Sequence, residues 1–222
     1  ADLVTGMVGE FPELQGIMGG YYARGAGEDT ATAEAIAAHY RPQGPDDSLP
    51  ATAEGLAVAL ADKIDTLVGF FGVAARPTGS KDPFALRRAA LGVIRILTEA
   101  NISLSLNDIL RKAAGYHGFT AIDDELLPFI RERLRVRLRD TGIAHDVVAA
   151  AFGDGELDDI CLLADRAAAL GNFLGSENGA GLMPGWRRAA SILKSEESKN
   201  KQAFAPKTDP SLFVKAAETD LH

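Results

Sequence analysis

The side chains that most often do chemistry are sparse in this sequence and poorly spaced for it. His39, His117, His145 and His222 lie far apart. None belongs to a His-x-x-x-His or Cys-x-x-Cys spacing, which would put two ligands on one helical face. His145 and Asp146 are neighbours, but adjacent helical side chains diverge by about 100° and need ligands from other helices to hold a metal. Thr78-Gly79-Ser80-Lys81 lacks the glycine frame of a Walker-type phosphate cradle. Asp82 follows it, placed to cap the next helix and to bring negative charge to the amides an anion would use. Asp62 and Asp65, one turn apart, either face a ligand together or form a solvated acidic face. No nucleophile elbow marks a Ser, His and acid triad. Cys161, within Ile160-Cys161-Leu162-Leu163, reads as a small buried apolar residue. The sequence names no catalytic residue and no metal ligand.

Basic residues give the stronger signal. Lys81 precedes a helix that carries Arg87, Arg88 and Arg95, with Arg88 and Arg95 two turns apart on one side. Arg131, Arg133, Arg135, Arg137 and Arg139 follow, and Arg187, Arg188 and Lys194 surround Trp186. With a net charge of -8, these are local stripes able to track a phosphate backbone. The competing reading is a solvated face paired with nearby acids, including bridges from the Asp82 helix to Asp62 and Asp65 that hold helices together.

The elements that must position these residues are helical. Leu3, Met7, Phe11, Leu14, Met18 and Tyr21 recur at helical steps from Asp2 to Tyr22, a stripe expected to face a core, with Pro12 kinking or splitting the helix. Asp29 caps a short Ala-rich helix ending near Tyr40, and Arg41 to Pro50 is a loop. A helix over Thr52 to Phe71 has the seam Leu56, Leu60, Ile64, Leu67 and Phe71. Asp82 as N-cap and Pro83 at the first helical position start a helix running to about Ala100. Ser105 and Asp108 form a capping box for a helix stopping near Gly115. Leu127, Ile130, Leu134 and Leu138 mark a helix over Asp124 to Asp140. Further helices are expected at His145 to Phe152, Leu157 to Leu174, Leu182 to Lys194 and Ser211 to His222, with a polar, mobile linker from Lys194 to Pro210. The fold class is all-α.

The 222 residues, 46% hydrophobic, suffice for one large domain or two small ones. One cysteine excludes an internal disulfide. No apolar run is long enough to span a bilayer, and the start lacks the zones of a signal peptide, so a cytoplasmic location is expected. The chain opens on Ala inside what reads as helix, which suggests an internal piece of a longer protein.

Particular words in the sequence then carry a resemblance. The run from Asp2 to Gly19, DLVTGMVGEFPELQGIMG, followed by Tyr22-Ala23, is similar to a run in the glycyl-tRNA synthetase beta-subunit family. His39-Tyr40-x-Pro42, Asp47-x-Leu49-Pro50, ALADKIDTLVG from Ala59 to Gly69 and PTGSKDPFALRRAALGVIRI from Pro77 to Ile96 follow in the family's order. Beyond Asn101 the likeness rests on helical pattern and on Trp186 to Lys194. The resemblance implies a subunit of the two-chain, two-alpha two-beta glycine-tRNA ligase, in which the alpha chain holds ATP, magnesium, glycine and the class II catalytic site. The beta chain supplies domains that bind tRNA(Gly), and this piece alone should be inactive, without a cofactor of its own. It also implies an HD-domain-like helical bundle at 1–103, truncated at its N-terminus, a helical domain at 104–194, and a linker with a C-terminal helix at 195–222. Lys81, Arg87, Arg88 and Arg95 then become candidate contacts to the tRNA acceptor arm. The rival reading is a metal-dependent HD-type phosphohydrolase. Asp62 resembles that family's final metal-binding Asp, and Ala1-Asp2 stands where its His-Asp pair belongs. Alanine offers a metal no lone pair, so Asp2 and Asp62 are expected to be remnants of an incomplete site.

Overall fold

Helical spacing becomes helix almost everywhere. The computed structural model describes residues 2–121, 124–153, 157–201 and 203. Among these the chain is all-helical, with one isolated bridge between Thr78 and Lys81 and no strand. Ala1, the expected helix from Ser211 to His222, and the linker from residue 204 onward lie outside the described residues. Two compact units are distinguished, Ala1–Gly171 and Asn172–His222.

The N-terminal stretch is broken rather than continuous. It comprises α1 (Gly6–Glu10), a short 3-10 turn at Pro12–Leu14 and α2 (Ile17–Gly25). Pro12 does split the helix, but the chain also swings at Gln15 and Gly16, so the helical phase is not carried across. The expected apolar stripe therefore does not face a core: Leu3, Met7, Phe11 and Tyr21 are exposed. The buried face of α2 is made instead of Gly19, Gly20 and Ala23. It packs on α3 (Thr30–Ala38), which Asp29 caps as expected. The two helices meet so closely that a Cβ on Gly19 would lie 2.8 Å from Ile36 Cγ2.

Larger side chains build the rest of the first unit. Helix α4 (Ala53–Gly72), capped by Thr52, buries Ile64, Leu67 and Phe71 from its predicted seam. Helix α5 (Leu86–Glu99) crosses it and buries Leu86, Ala90, Val93, Ile94 and Leu97. Its start differs from expectation. Asp82 does not sit at the N-cap, because Ala85, in the left-handed region, takes that place. The Asp82 carboxylate still caps from upstream, accepting from Leu86 N at 2.8 Å and Arg87 N at 2.9 Å. Helices α6 (Leu106–Tyr116), α7 (Leu126–Asp140), α8 (His145–Phe152) and α9 (Ile160–Gly175) add Leu110, Ile130, Leu134, Phe152 and Ile160 to the same core. Ser105 caps α6 as expected, accepting from Asp108 N at 3.2 Å. Cys161 is buried, and burial pushes its thiol above the ordinary value.

In the second unit α10 (Glu177–Asn200) starts earlier and runs further than Leu182 to Lys194, with Ser176 as its cap. The polar residues Ser195 to Asn200, expected in a linker, are helical. Its apolar side chains Leu182, Trp186 and Leu193 are exposed.

Between α3 and α4 the chain is held by a buried ammonium. Lys63 is 5% exposed, and its Nζ donates to the carbonyls of His39 at 3.3 Å and Tyr40 at 3.2 Å. Its stem passes α5 at Gly92, where a Cβ would come within 2.6 Å of Lys63 Cε. Desolvation lowers the Lys63 pKa from its ordinary 10.5, with no carboxylate in hydrogen-bond contact to reverse it. A lowered lysine pKa means that the unfolded chain binds the extra proton more readily, so stability rises with pH up to 10.5 and falls as pH drops through the folded value. In urea titrations, the stability of the wild type relative to Lys63→Met should therefore shift in favour of the wild type as pH rises toward 10.5. A difference that stays flat with pH contradicts this account of Lys63.

Candidate nucleic-acid interface

Helix α5 brings its arginines to a cleft that the sequence does not announce. The cleft has a volume of about 560 Å³ and lies between α5, one end of α7 and the 42–45 loop. Arg87, Arg88, Arg95 and Arg137 all line it. Lys81 is exposed in the turn before α5 and is not part of the lining.

The arginines are not equivalent. Arg95 is 8% exposed and donates three hydrogen bonds. Its Nε donates to Glu99 Oε1 at 2.7 Å and its Nη2 to Glu99 Oε2 at 3.0 Å, the bidentate geometry a planar guanidinium favours. Its Nη1 donates to the Gly44 carbonyl at 2.8 Å and so fastens the loop. Arg137 reaches the same carboxylate, with Nη2 at 2.9 Å from Glu99 Oε1. The hydrogen bond from Arg95 holds the Glu99 carboxyl below its ordinary value, and the same bond raises Arg95. Arg87 donates to the Gly79 carbonyl at 2.5 Å and is half-buried. Arg88 is exposed and makes no hydrogen bond or ion pair among the described residues.

Of the bridges considered from sequence, none is seen among the described residues from the α5 arginines to Asp62 or Asp65. Arg95 does hold parts of the fold together, but through Glu99 and Gly44. Asp65 instead lies 2.8 Å from His117 Nε2. Sequence reasoning missed Glu99, although its i,i+4 spacing from Arg95 is a legible ion-pair signal. It counted Arg137 only as one of a row on α7, because nothing local says that this end of α7 meets α5.

Asp2 and Asp62 line different cavities. Asp2 is 1% exposed, and its Oδ2 accepts from Gly16 N and Gly19 N, both at 2.7 Å, so it caps the start of α2. Its Oδ1 is buried without a partner. Ala1, the other half of the expected degenerate pair, lies outside the described residues. No group of three or more His, Cys, Asp or Glu side chains placed to hold a metal ion occurs among the described residues. No helix there is long and apolar enough to cross a membrane.

Comparison with known proteins agrees with the words read in the first hundred residues and extends past them. The family model for the glycyl-tRNA synthetase beta subunit matches residues 1–153. The glycine–tRNA ligase beta subunit of Phenylobacterium zucineum (strain HLK1) is 52% identical over 199 residues, covering 90% of this chain and 28% of the relative. That of Rhodospirillum centenum is 51% identical over 208 residues, covering 92% and 29%. That of Cereibacter sphaeroides (strain ATCC 17029) is 50% identical over 227 residues, covering 99% and 32%. The chain thus spans about three tenths of the length of these curated relatives. Matched by that model over more than half its length, the chain belongs to the glycyl-tRNA synthetase beta-subunit family.

Proposed function

We propose that this chain is a non-catalytic module of the beta subunit that holds RNA and helps scaffold the assembly, supporting ATP-dependent attachment of glycine to tRNA(Gly). In this reading ATP, magnesium and the reacting groups sit on an alpha partner, in a two-alpha two-beta enzyme, and the acceptor arm is held by phosphate contacts that aim its end at that partner. The observation that supports the reading most is Arg88, an exposed guanidinium without a partner among the described residues, on the wall of a cleft shared with Arg87, Arg95 and Arg137. An exposed arginine left uncommitted beside a concave surface suits recognition of phosphate better than a role in stability. In this reading Arg87 lines the same wall and Lys81 adds charge from the turn before α5, while Arg95 sets the geometry of the wall rather than meeting RNA itself.

The reading separates by experiment. In the assembled ligase, Arg88→Ala should weaken tRNA binding and lower the slope of log affinity against log salt by about 0.9, the loss of one neutralised phosphate. Its thermal stability should stay within about 0.5 kcal/mol of wild type. Unchanged affinity together with an unchanged slope rejects the phosphate surface. Arg95→Ala should instead cost about 1–3 kcal/mol in urea unfolding, because it leaves the Gly44 carbonyl with only its longer bond from Asp47 N and removes the bidentate partner of Glu99. Glu99 has a depressed pKa, so its contribution is full above 4.5 and is lost as pH falls through the folded value. The stability gap between wild type and Glu99→Gln should accordingly shrink on acidification below 4.5. A gap that is constant across that window means that the Glu99 pairing is not stabilising.

A further inference from the structure

The cleft at α5 is larger and less polar than a row of phosphate contacts requires. Beside its guanidiniums its wall carries Pro42, Pro45, Leu91 and Gly92. Duplex RNA turns its phosphates and riboses outward and keeps its bases stacked, so it has no flat apolar group to lay against such a wall. An unpaired nucleotide carries both groups: a phosphate for arginine and a base whose face gains from apolar cover. We propose that this cleft takes one unpaired nucleotide of RNA, with its phosphate on Arg88 and Arg137 and its base against Leu91 and Pro45. The proposal rests on the RNA-holding reading above and adds the strandedness of what is held.

Three features of the lining fit this occupant. Arg88 and Arg137 come from different helices, so a phosphate entering the cleft meets guanidinium from more than one side. Arg137 gives one N–H to Glu99 at 2.9 Å, and its planar fork has further donors to offer. Leu91 and Pro45 are exposed, so apolar surface is presented to solvent at the place where a base would settle. Gln43 is also exposed there, the one neutral side chain on the lining with both a donor and an acceptor, and it can meet a base edge. Among the described residues no aromatic ring lines the cleft. Base contact through aliphatic groups should therefore be weakly selective for sequence, and strandedness should matter more than base identity.

The test uses the assembled two-chain ligase with a single-stranded RNA hexamer and a blunt-ended RNA duplex as probes. Leu91→Gln keeps charge and approximate size and removes apolar wall from a position 37% exposed, so the core is left intact. It should weaken the hexamer by about fivefold and leave the duplex unchanged. Arg88→Ala with Arg137→Ala should weaken the hexamer by about tenfold or more. If Leu91→Gln leaves the hexamer unaffected, or weakens both probes by one factor, the nucleotide pocket is wrong. If the paired arginine change weakens the duplex but not the hexamer, the pocket is also wrong while the phosphate surface stands. If that change moves neither probe, both readings fall. Should the double variant not fold, Leu91→Gln decides by itself.

Discussion

Two buried cations cover carbonyls along the path from α3 into the loop that walls the cleft, one just before the loop and one within it. Lys63 takes the carbonyls of His39 and Tyr40, and Arg95 takes that of Gly44. Pro42, Pro45 and Pro50 bring no N–H to this segment, and the Gly44 carbonyl, which accepts from Asp47 N at 3.4 Å, gains its shorter bond from Arg95. Cations cover these acceptors strongly, at the cost of desolvation. For Lys63 that cost remains visible in its lowered pKa, whereas Arg95 meets a bidentate carboxylate that reverses it. Gly92 is the matching concession on α5, since only the missing side chain lets the lysine stem pass.

This arrangement divides labour along one helix. Arg88 and Arg95 lie on the same side of α5 and on the same cleft, yet Arg88 has no partner among the described residues and Arg95 is locked. The difference comes from the loop, which reaches Arg95 from 51 residues earlier in the chain. Glu99 extends the lock to α7 by accepting from Arg137 as well. A single carboxylate thus ties the loop-holding arginine to the second helix of the cleft, and the wall is set before any ligand arrives. Such preorganisation lowers what binding must cost in ordering side chains.

Legibility in the sequence follows from how local each cause is. Asp29 and Ser105 cap as their neighbours imply, because a cap is settled within about four residues. The seams of α4 and α7 are buried largely as their spacing requires. The N-terminal stripe misleads because its spacing survives across Pro12 and Gly16 while the helix does not. The cap at Asp82 is identified correctly as a donor sink but misplaced, since Ala85 adopts the left-handed turn that a proline two residues upstream does not forecast. At the cleft the arginines of α5 are visible as a basic cluster. Glu99 is readable from spacing alone, but the loop and Arg137 are not, because both arrive through tertiary contact.

The charge balance then limits what such a cleft can do. The chain carries a net charge of -8, and the four guanidiniums on the lining are answered nearby by Glu99 and Asp82. Attraction for phosphate is therefore local, fading over a screening length of about 8 Å at physiological ionic strength. A surface of that kind attracts anions only at close range. The Arg95–Glu99–Arg137 set fixes the wall from within the fold, so its geometry does not depend on an occupant.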